Sequence, residues 1–223
     1  SAASDVYKRQ DVDALIEKGE KKEVAIMHVI QQYIVGSKKI LFEGDGYSEA
    51  WEKEAAKRGL PNVKTTPQAL DAFVTAKAKA LFEHNMIYSK EELEARHEIM
   101  LEDYIKKVQI EARVIGDLAT TMILPAAIKY QNLLLENVKG MKEAGLDKSS
   151  YEAQTEMLQK LSQHIQTINR HVKEMIEERK KANNMTDTRA KAIAYCEKVK
   201  GEHFDTIRYH VDKLELMVDD TFW

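Results

Sequence analysis

The sequence predicts an all-α fold: an elongated helical bundle that contains one long antiparallel helical hairpin. Three observations carry this expectation. The 223 residues hold 9 glycines and 3 prolines, whereas a sandwich or barrel needs turn residues throughout. Apolar residues make up 43% of the chain and recur at three- and four-residue spacing along nearly all of it, the period of a helix face. Leu158, Leu161, Ile165, Ile168, Val172 and Met175 form a heptad seam of the kind that pairs helices by packing alone.

From about Asp11 to Val35 the chain reads as one helix with Gly19 as a weak point, ended by Gly36 and Ser37. Lys39 to Glu43 (KILFE) is an apolar run too short for a helix, and the one place where a short strand is expected. Gly44-Asp45-Gly46 turns the chain. Ser48 then caps a short helix, with Gly59 as its left-handed stop. Thr66 followed by Pro67 starts a helix whose buried face reads Leu70, Phe73, Val74, Lys77, Leu81 and Phe82. Ser89 and Glu92 form a capping box that opens a long helix. Its face reads Leu93, His97, Met100, Tyr104, Val108, Glu111, Ile115, Leu118 and Met122. Pro125 must kink that helix or begin another, because it lacks an N–H and its ring clashes one turn back. Gly140 to Ser150 is a linker. After the heptad helix, Thr186 or Asp187 caps a last helix with a seam of Ile193, Cys196, Ile207, Val211, Leu214 and Val218, weakened at Gly201.

Charge excludes one broad class. Lys plus Arg is 34 and Asp plus Glu is 37, for a net −3, without the basic excess of a phosphate-contacting nucleic-acid binder. The single cysteine, Cys196, rules out an internal disulfide or a Cys-rich zinc site. On an apolar seam it is expected to be an inert buried thiol. No apolar run approaches the roughly 18 residues of a membrane span. Ser1 to Gln10 has no apolar core of a secretory signal and no initiator Met, and the chain stops at Phe222-Trp223. Both ends read as those of a fragment.

Candidate chemistry is sparse. Glu94-x-x-His97 matches half of a dimetal-bundle signature, but that chemistry needs two copies and two further glutamates. His164/His171 and His203/His210 are each seven apart. On a helix that is about 10 Å, too far for one metal within a pair. Members of the two pairs are able to meet across the hairpin, yet a seam histidine is more often a satisfied core residue. Gly44-Asp45-Gly46 lacks the third glycine of a dinucleotide fingerprint and reads as a turn into a capped helix. The mixed run Glu177 to Lys181 reads as a solvated helix end.

Five segments carry a resemblance. They are Lys39 to Trp51 (KILFEGDGYSEAW), Lys57 to Pro67 (KRGLPNVKTTP), Ile123 to Gly140 (ILPAAIKYQNLLLENVKG), Glu174 to Asn183 (EMIEERKKAN) and Phe204 to Trp223 (FDTIRYHVDKLELMVDDTFW). In this order and spacing they resemble the C-terminal region of type III glutamine synthetase, the large-subunit bacterial form, from about Asp11 onward. The resemblance implies an ATP- and magnesium-dependent glutamate–ammonia ligase with an α+β barrel body, acting through a γ-glutamyl phosphate. It implies homo-oligomeric rings, with the rest of the subunit and neighbouring subunits as partners, in the cytoplasm, with no nucleic-acid or membrane partner. It also implies that the catalytic, metal and nucleotide residues lie upstream. No catalytic, cofactor-binding or metal residue is therefore assigned to this chain, and neither ATP nor Mg is expected bound to it alone. Residues 1–10 are set apart as a foreign or disordered scar, 11–60 as closing elements of the catalytic domain, and 61–223 as a helical C-terminal domain. The residues leave another reading open, a stand-alone helical scaffold or interaction module without catalytic activity.

Overall fold

The structure is a computed structural model that describes residues 2–223, with side chains from Lys8 onward. It is helical throughout, with no strand among the described residues. The chain forms two compact units, residues 1–62 and 63–223.

In the first unit, α1 (Ala2–Glu17) and α2 (Lys22–Ser37) form a helical pair. The single helix expected over 11–35 is thus broken in two. Gly19 has a φ of +96°, a region that glycine enters without a Cβ penalty, so it reverses the chain. Residues 2–10, set apart in the sequence as a scar, have helical backbone as the start of α1; Ser1 lies outside the described residues. The Tyr33 hydroxyl of α2 donates to Asp11 of α1 at 2.7 Å, and His28 Nδ1 lies 2.9 Å from Glu20 in the connecting turn.

Gly36 does not end α2, which runs through it into a 3-10 turn at Lys38–Ile40. The segment 39–43, where a strand was allowed, makes this turn and then an unpaired extended stretch. Arg58 holds it, donating to the carbonyls of Lys39 and Leu41 while pairing with Glu54 at 2.6 Å. Phe42 packs on Trp51 with ring centroids 4.6 Å apart. A Cβ at Gly44 would stand 2.6 Å from the tip of the Phe42 ring, so any larger residue there would move that ring against Trp51. The cap is as expected: Ser48 accepts from the Trp51 N–H at the start of α3 (Glu49–Arg58), and Gly59 ends the helix in the left-handed region at φ 64°.

The second unit holds α4 (Thr66–Leu70), α5 (Ala76–His84), α6 (Lys90–Leu118), α7 (Leu124–Glu143), α8 (Glu152–Asn183), α9 (Thr188–Ala194) and α10 (Glu202–Glu215). The helix expected from Thr66 is shorter than its sequence pattern. Thr65 takes the cap position and Pro67 is buried one residue further in. A 3-10 turn at Asp71–Val74 follows, and Thr75 then caps α5 by accepting from Ala78 N–H. This break resets the phase and leaves Phe73 and Leu81 exposed rather than buried.

The capping box of Ser89 and Glu92 opens α6 as expected. The buried face of α6 is partly rotated from the expected one. Leu93 and Val108 are buried and Tyr104 and Ile115 pack partly buried against the core, as expected, but the most buried line runs Leu101, Ile105, Ala112, Gly116 and on to Ala119, and Leu118 and Met122 are exposed. Small residues explain the rotation. A Cβ on Gly116 would meet Met175 and Val172 of α8 at 3.7 and 3.8 Å, so the helices approach closest along the small side chains. Glu111, placed on the face by the sequence pattern, instead pairs with Lys200 at 3.7 Å.

Two π-helical turns interrupt the long helices. Ala119–Ile123 joins α6 to α7 immediately before Pro125. There the wider turn absorbs the missing proline N–H, and Thr120 and Thr121 donate their hydroxyls to the Gly116 and Asp117 carbonyls at 2.8 and 2.6 Å. Tyr195–Gly201 joins α9 to α10. Its extra residue shifts the upstream seam by one position. Ala192, Tyr195 and Val199 are buried where Ile193 and Cys196 were expected, while Ile207, Leu214 and Val218 downstream are buried as expected. The α8 seam holds: Leu161, Ile168, Val172 and Met175 are almost fully buried, and α8 packs antiparallel on α10. Asp187 caps α9, accepting from Ala190 N–H at 2.6 Å.

The glycines of these helices give a paired prediction. A Cβ on Gly201 would stand 3.1 Å from the Cys196 carbonyl oxygen, a backbone atom of the π turn that has little room to move. Gly201→Ala is expected to destabilise by about 1 kcal/mol despite the better helix propensity of alanine. Gly116→Ala meets only ordinary contacts and is expected to be neutral or to stabilise by up to about 1 kcal/mol. Urea midpoints of the two variants should move in opposite directions; equal shifts would remove the packing explanation.

Candidate functional site

Four histidines meet along the α8/α10 hairpin. The heptad spacing of His164 and His171 puts both on the face of α8 that looks at α10, and His203 and His210 answer them from α10. His164 Nδ1 lies 2.7 Å from His210 Nδ1, and His171 Nδ1 lies 3.0 Å from His203 Nδ1. The spacing was legible in the sequence. The pairing across the hairpin is what the fold adds, and Glu174 joins it. His171 and Glu174 are three apart, neighbours on one helix face, and their side chains approach to 3.9 Å. His171, Glu174 and His203 each offer a donor atom within 4.8 Å of the other two. Glu174 is the residue that sequence reasoning missed, although His171-x-x-Glu174 on an apolar seam was a visible signal.

Burial lowers the pKa of all four imidazoles. The effect is reinforced at His164 by His210 and Lys213, at His171 by Arg170 and His203 with Glu174 opposing, and at His210 by His171 and Arg170. At His203 the carboxylates of Glu174, Glu202 and Glu178 work against it. The rings are therefore neutral near pH 7, and in each Nδ1–Nδ1 contact one ring donates its N–H to the lone pair of the other. His203 is 4% exposed, and its Nε2 has no hydrogen-bond partner.

The remaining candidates take structural partners. Glu94 pairs with Lys79 and does not converge with His97. His97 Nε2 instead lies 3.2 Å from Asp71, which also accepts from Arg189 Nη2 at 2.6 Å. Arg189 holds the Asp71 carboxyl below its ordinary range. Cys196 is half-buried rather than buried. It contacts Tyr104, whose phenol is raised chiefly by burial and then by that contact. The Gly44-Asp45-Gly46 turn is closed on itself: Asp45 accepts from the Tyr47 N–H at 2.9 Å, and the Ser48 hydroxyl donates to its carbonyl at 2.7 Å.

An apolar groove of about 890 Å³ opens where the α6–α7 junction faces α10. Leu118, Met122, Phe204, Ile207, Val211 and Trp223 supply its apolar lining. In the first unit α2 presents Met27, Ile30, Ile34 and Val35, all exposed.

A family model described as the glutamine synthetase C-terminal domain matches residues 25–142. The chain belongs to the glutamine synthetase C-terminal domain family. It is 41% identical over 219 residues to the glutamine synthetase of Bacteroides fragilis (strain YCH46), covering 96% of this chain and 30% of the relative. It is 32% identical over 152 residues to the type-3 glutamine synthetase of Dictyostelium discoideum, covering 68% of this chain and 21% of the relative. To the glutamine synthetase of Butyrivibrio fibrisolvens it is 27% identical over 204 residues, 92% of this chain and 29% of the relative. The chain thus spans about 30% or less of these glutamine synthetases. The family match ends at 142, before α8, so the histidine ladder lies outside it.

The magnesium and ATP implied by the resemblance do not fit the groups described here. Magnesium takes a near-octahedral set of oxygens, whereas His171, Glu174 and His203 offer two nitrogens and one oxygen. The glycine turn spends its polar groups on itself. No step of nucleotide chemistry is routed through these residues. Among the described residues, no helix is long and apolar enough to cross a membrane.

Proposed function

We propose that this chain is the helical C-terminal region of an ATP- and magnesium-dependent glutamate–ammonia ligase, supporting a catalytic body that the chain itself does not contain. The observation that carries this reading is the family match joined to coverage: the relatives are glutamine synthetases, and the chain accounts for 30% of the B. fragilis protein. Two apolar surfaces support it. The exposed α2 face and the α6–α10 groove each gather several apolar side chains at one surface, the character of an interaction site, and the rest of such a ligase is the occupant proposed for both. On this reading residues 11–60 are closing elements of the catalytic domain, 61–223 form the helical domain, and neighbouring subunits of a cytoplasmic homo-oligomer are the further partners.

The isolated chain is expected to form no glutamine from glutamate, ammonia and ATP. In the full-length ligase, Met27→Asp with Ile34→Asp is expected to reduce glutamine formation at least about tenfold and to shift the oligomer toward smaller species. Burying a charge against an apolar partner without a counter-charge costs several kcal/mol. Circular dichroism of the same double variant in the isolated chain should be unchanged, since both side chains are exposed there. Robust synthesis by the isolated chain, or an active and fully assembled double variant, would sink the reading.

A further inference from the structure

We infer that His171, Glu174 and His203 form a binding site for a divalent transition metal of the zinc class, with one position open to water or an exogenous ligand. A tetrahedral ion with ligands at about 2.0–2.1 Å separates its donor atoms by roughly 3.3 Å. The two Nδ1 atoms stand 3.0 Å apart, the Glu174 oxygen lies 3.9 Å from His171 Nδ1, and all three donor atoms lie within 4.8 Å of one another, so the two imidazoles already have the spacing and a rotamer change of the half-exposed Glu174 draws the carboxylate in. Two imidazoles and a carboxylate form a ligand set that suits zinc and its neighbours rather than magnesium or calcium.

The surroundings favour a cation. Glu178 and Glu202 lie close enough to act on His203 alongside Glu174; Lys181 and Lys198 pair with Glu178 and Glu202 and Arg170 stands beside His171, so Glu174 is the carboxylate left to face the ion. Both helices are fixed before any ion arrives. The α8 seam residues Ile168, Val172 and Met175 are almost fully buried on either side of His171, and Ile207 is buried one turn beyond His203. Nothing pins the His203 proton to Nδ1. Its Nε2 is without a partner, so the proton can rest there and leave the Nδ1 lone pair facing His171. Without an ion, the two rings can only share one N–H between two Nδ1 atoms. Arg170 Nη2 lies 3.4 Å from His171 Nε2, so the shared proton rests on His171 Nδ1; when the ion enters, that proton moves to His171 Nε2, the exposed Arg170 turns away, and two metal bonds replace the hydrogen bond. His164 and His210 form a second pair one heptad away, about 10 Å along the helix, without a carboxylate in the set.

The test uses the untagged full chain, so that no added histidines compete. Titrating cobalt(II) should produce a visible d–d absorption with one ion per chain, and zinc should displace it. Zinc should also raise the thermal midpoint, reversibly with EDTA. Glu174→Gln, at a half-exposed side chain, and His171→Gln should each weaken zinc more than the roughly 10–100-fold that loss of an outer-shell partner costs. His164→Gln should leave stoichiometry and affinity within about threefold of the parent chain. The inference is overturned if neither absorption nor thermal shift appears at millimolar metal. It is also overturned if Glu174→Gln binds as the parent does, or if His164→Gln weakens binding as much as His171→Gln. These readouts are metal occupancy and stability, so they stand apart from the ligase reading.

Discussion

Replacing Tyr195 by alanine is expected to destabilise the second unit by about 3–5 kcal/mol, the range for removing a buried aromatic side chain. Tyr195 is fully buried and opens the π turn before α10. Three supports fail together. The ring leaves a cavity between that turn, α6 and α8, the elements it packs among. Its hydroxyl no longer donates to Asn183 Oδ1 at 2.6 Å, so the last turn of α8 loses its link to the α9–α10 helix. The π turn also loses the residue that anchors its shifted register. For a unit of this size the loss corresponds to a fall in thermal midpoint of roughly 6–20 °C. Tyr195→Phe isolates the hydroxyl and is expected to cost only about 0.5–1.5 kcal/mol. Differential scanning calorimetry of the two variants checks the ratio. Near-equal losses would mean that the hydrogen bond, not the ring, holds the turn.

The same tyrosine shows where sequence reading stops. Caps are local chemistry, and Ser48, the Ser89–Glu92 box and Asp187 were each legible from a few adjacent residues. The heptad seam of α8 was legible because it stays in one phase for five turns. The seam of the last helix was legible only downstream of Gly201. Projected back in steps of three and four it led to Cys196 and Ile193, and the extra residue of the π turn moved burial to Tyr195 and Ala192. Nothing within a single sequence period marks such an insertion, although Gly201 was a hint. The α6 face held at Leu93 and Val108 and failed at its far end for a different reason: large apolar side chains suggested Leu118 and Met122, while close helix approach selected Ala112, Gly116 and Ala119. The candidate site divides in the same way. The histidine spacing was visible along each helix. Which nitrogen meets which, and that Glu174 completes the set, depends on the register of two helices joined through residues far apart in the chain.

Asp71 is the residue with the least sequence signal and a large expected effect. From the 3-10 turn after α4 it accepts from Arg189 Nε at 3.0 Å and Nη2 at 2.6 Å, across 118 positions in the chain, and meets His97 of α6. It thereby ties the turn, α6 and α9 together. Asp71→Asn keeps the shape and removes the charge. It is expected to cost about 1–2 kcal/mol near neutral pH, less than a fully buried pair because the Arg189 side chain is half exposed. Acid gives the sharper signature. The hydrogen bonds and charge of Arg189, followed by His97, lower the Asp71 pKa in the folded chain below its ordinary 3.8. The unfolded chain therefore takes up this proton first as pH falls. The stabilisation is fully present above the unfolded pKa and disappears as pH drops through the folded one. Thermal midpoints of the parent chain and Asp71→Asn should differ by a constant amount from neutral pH down to about pH 5 and converge below about pH 4. A gap that persists undiminished to about pH 2, or no gap at pH 7, would show that the carboxylate charge does not hold these elements together.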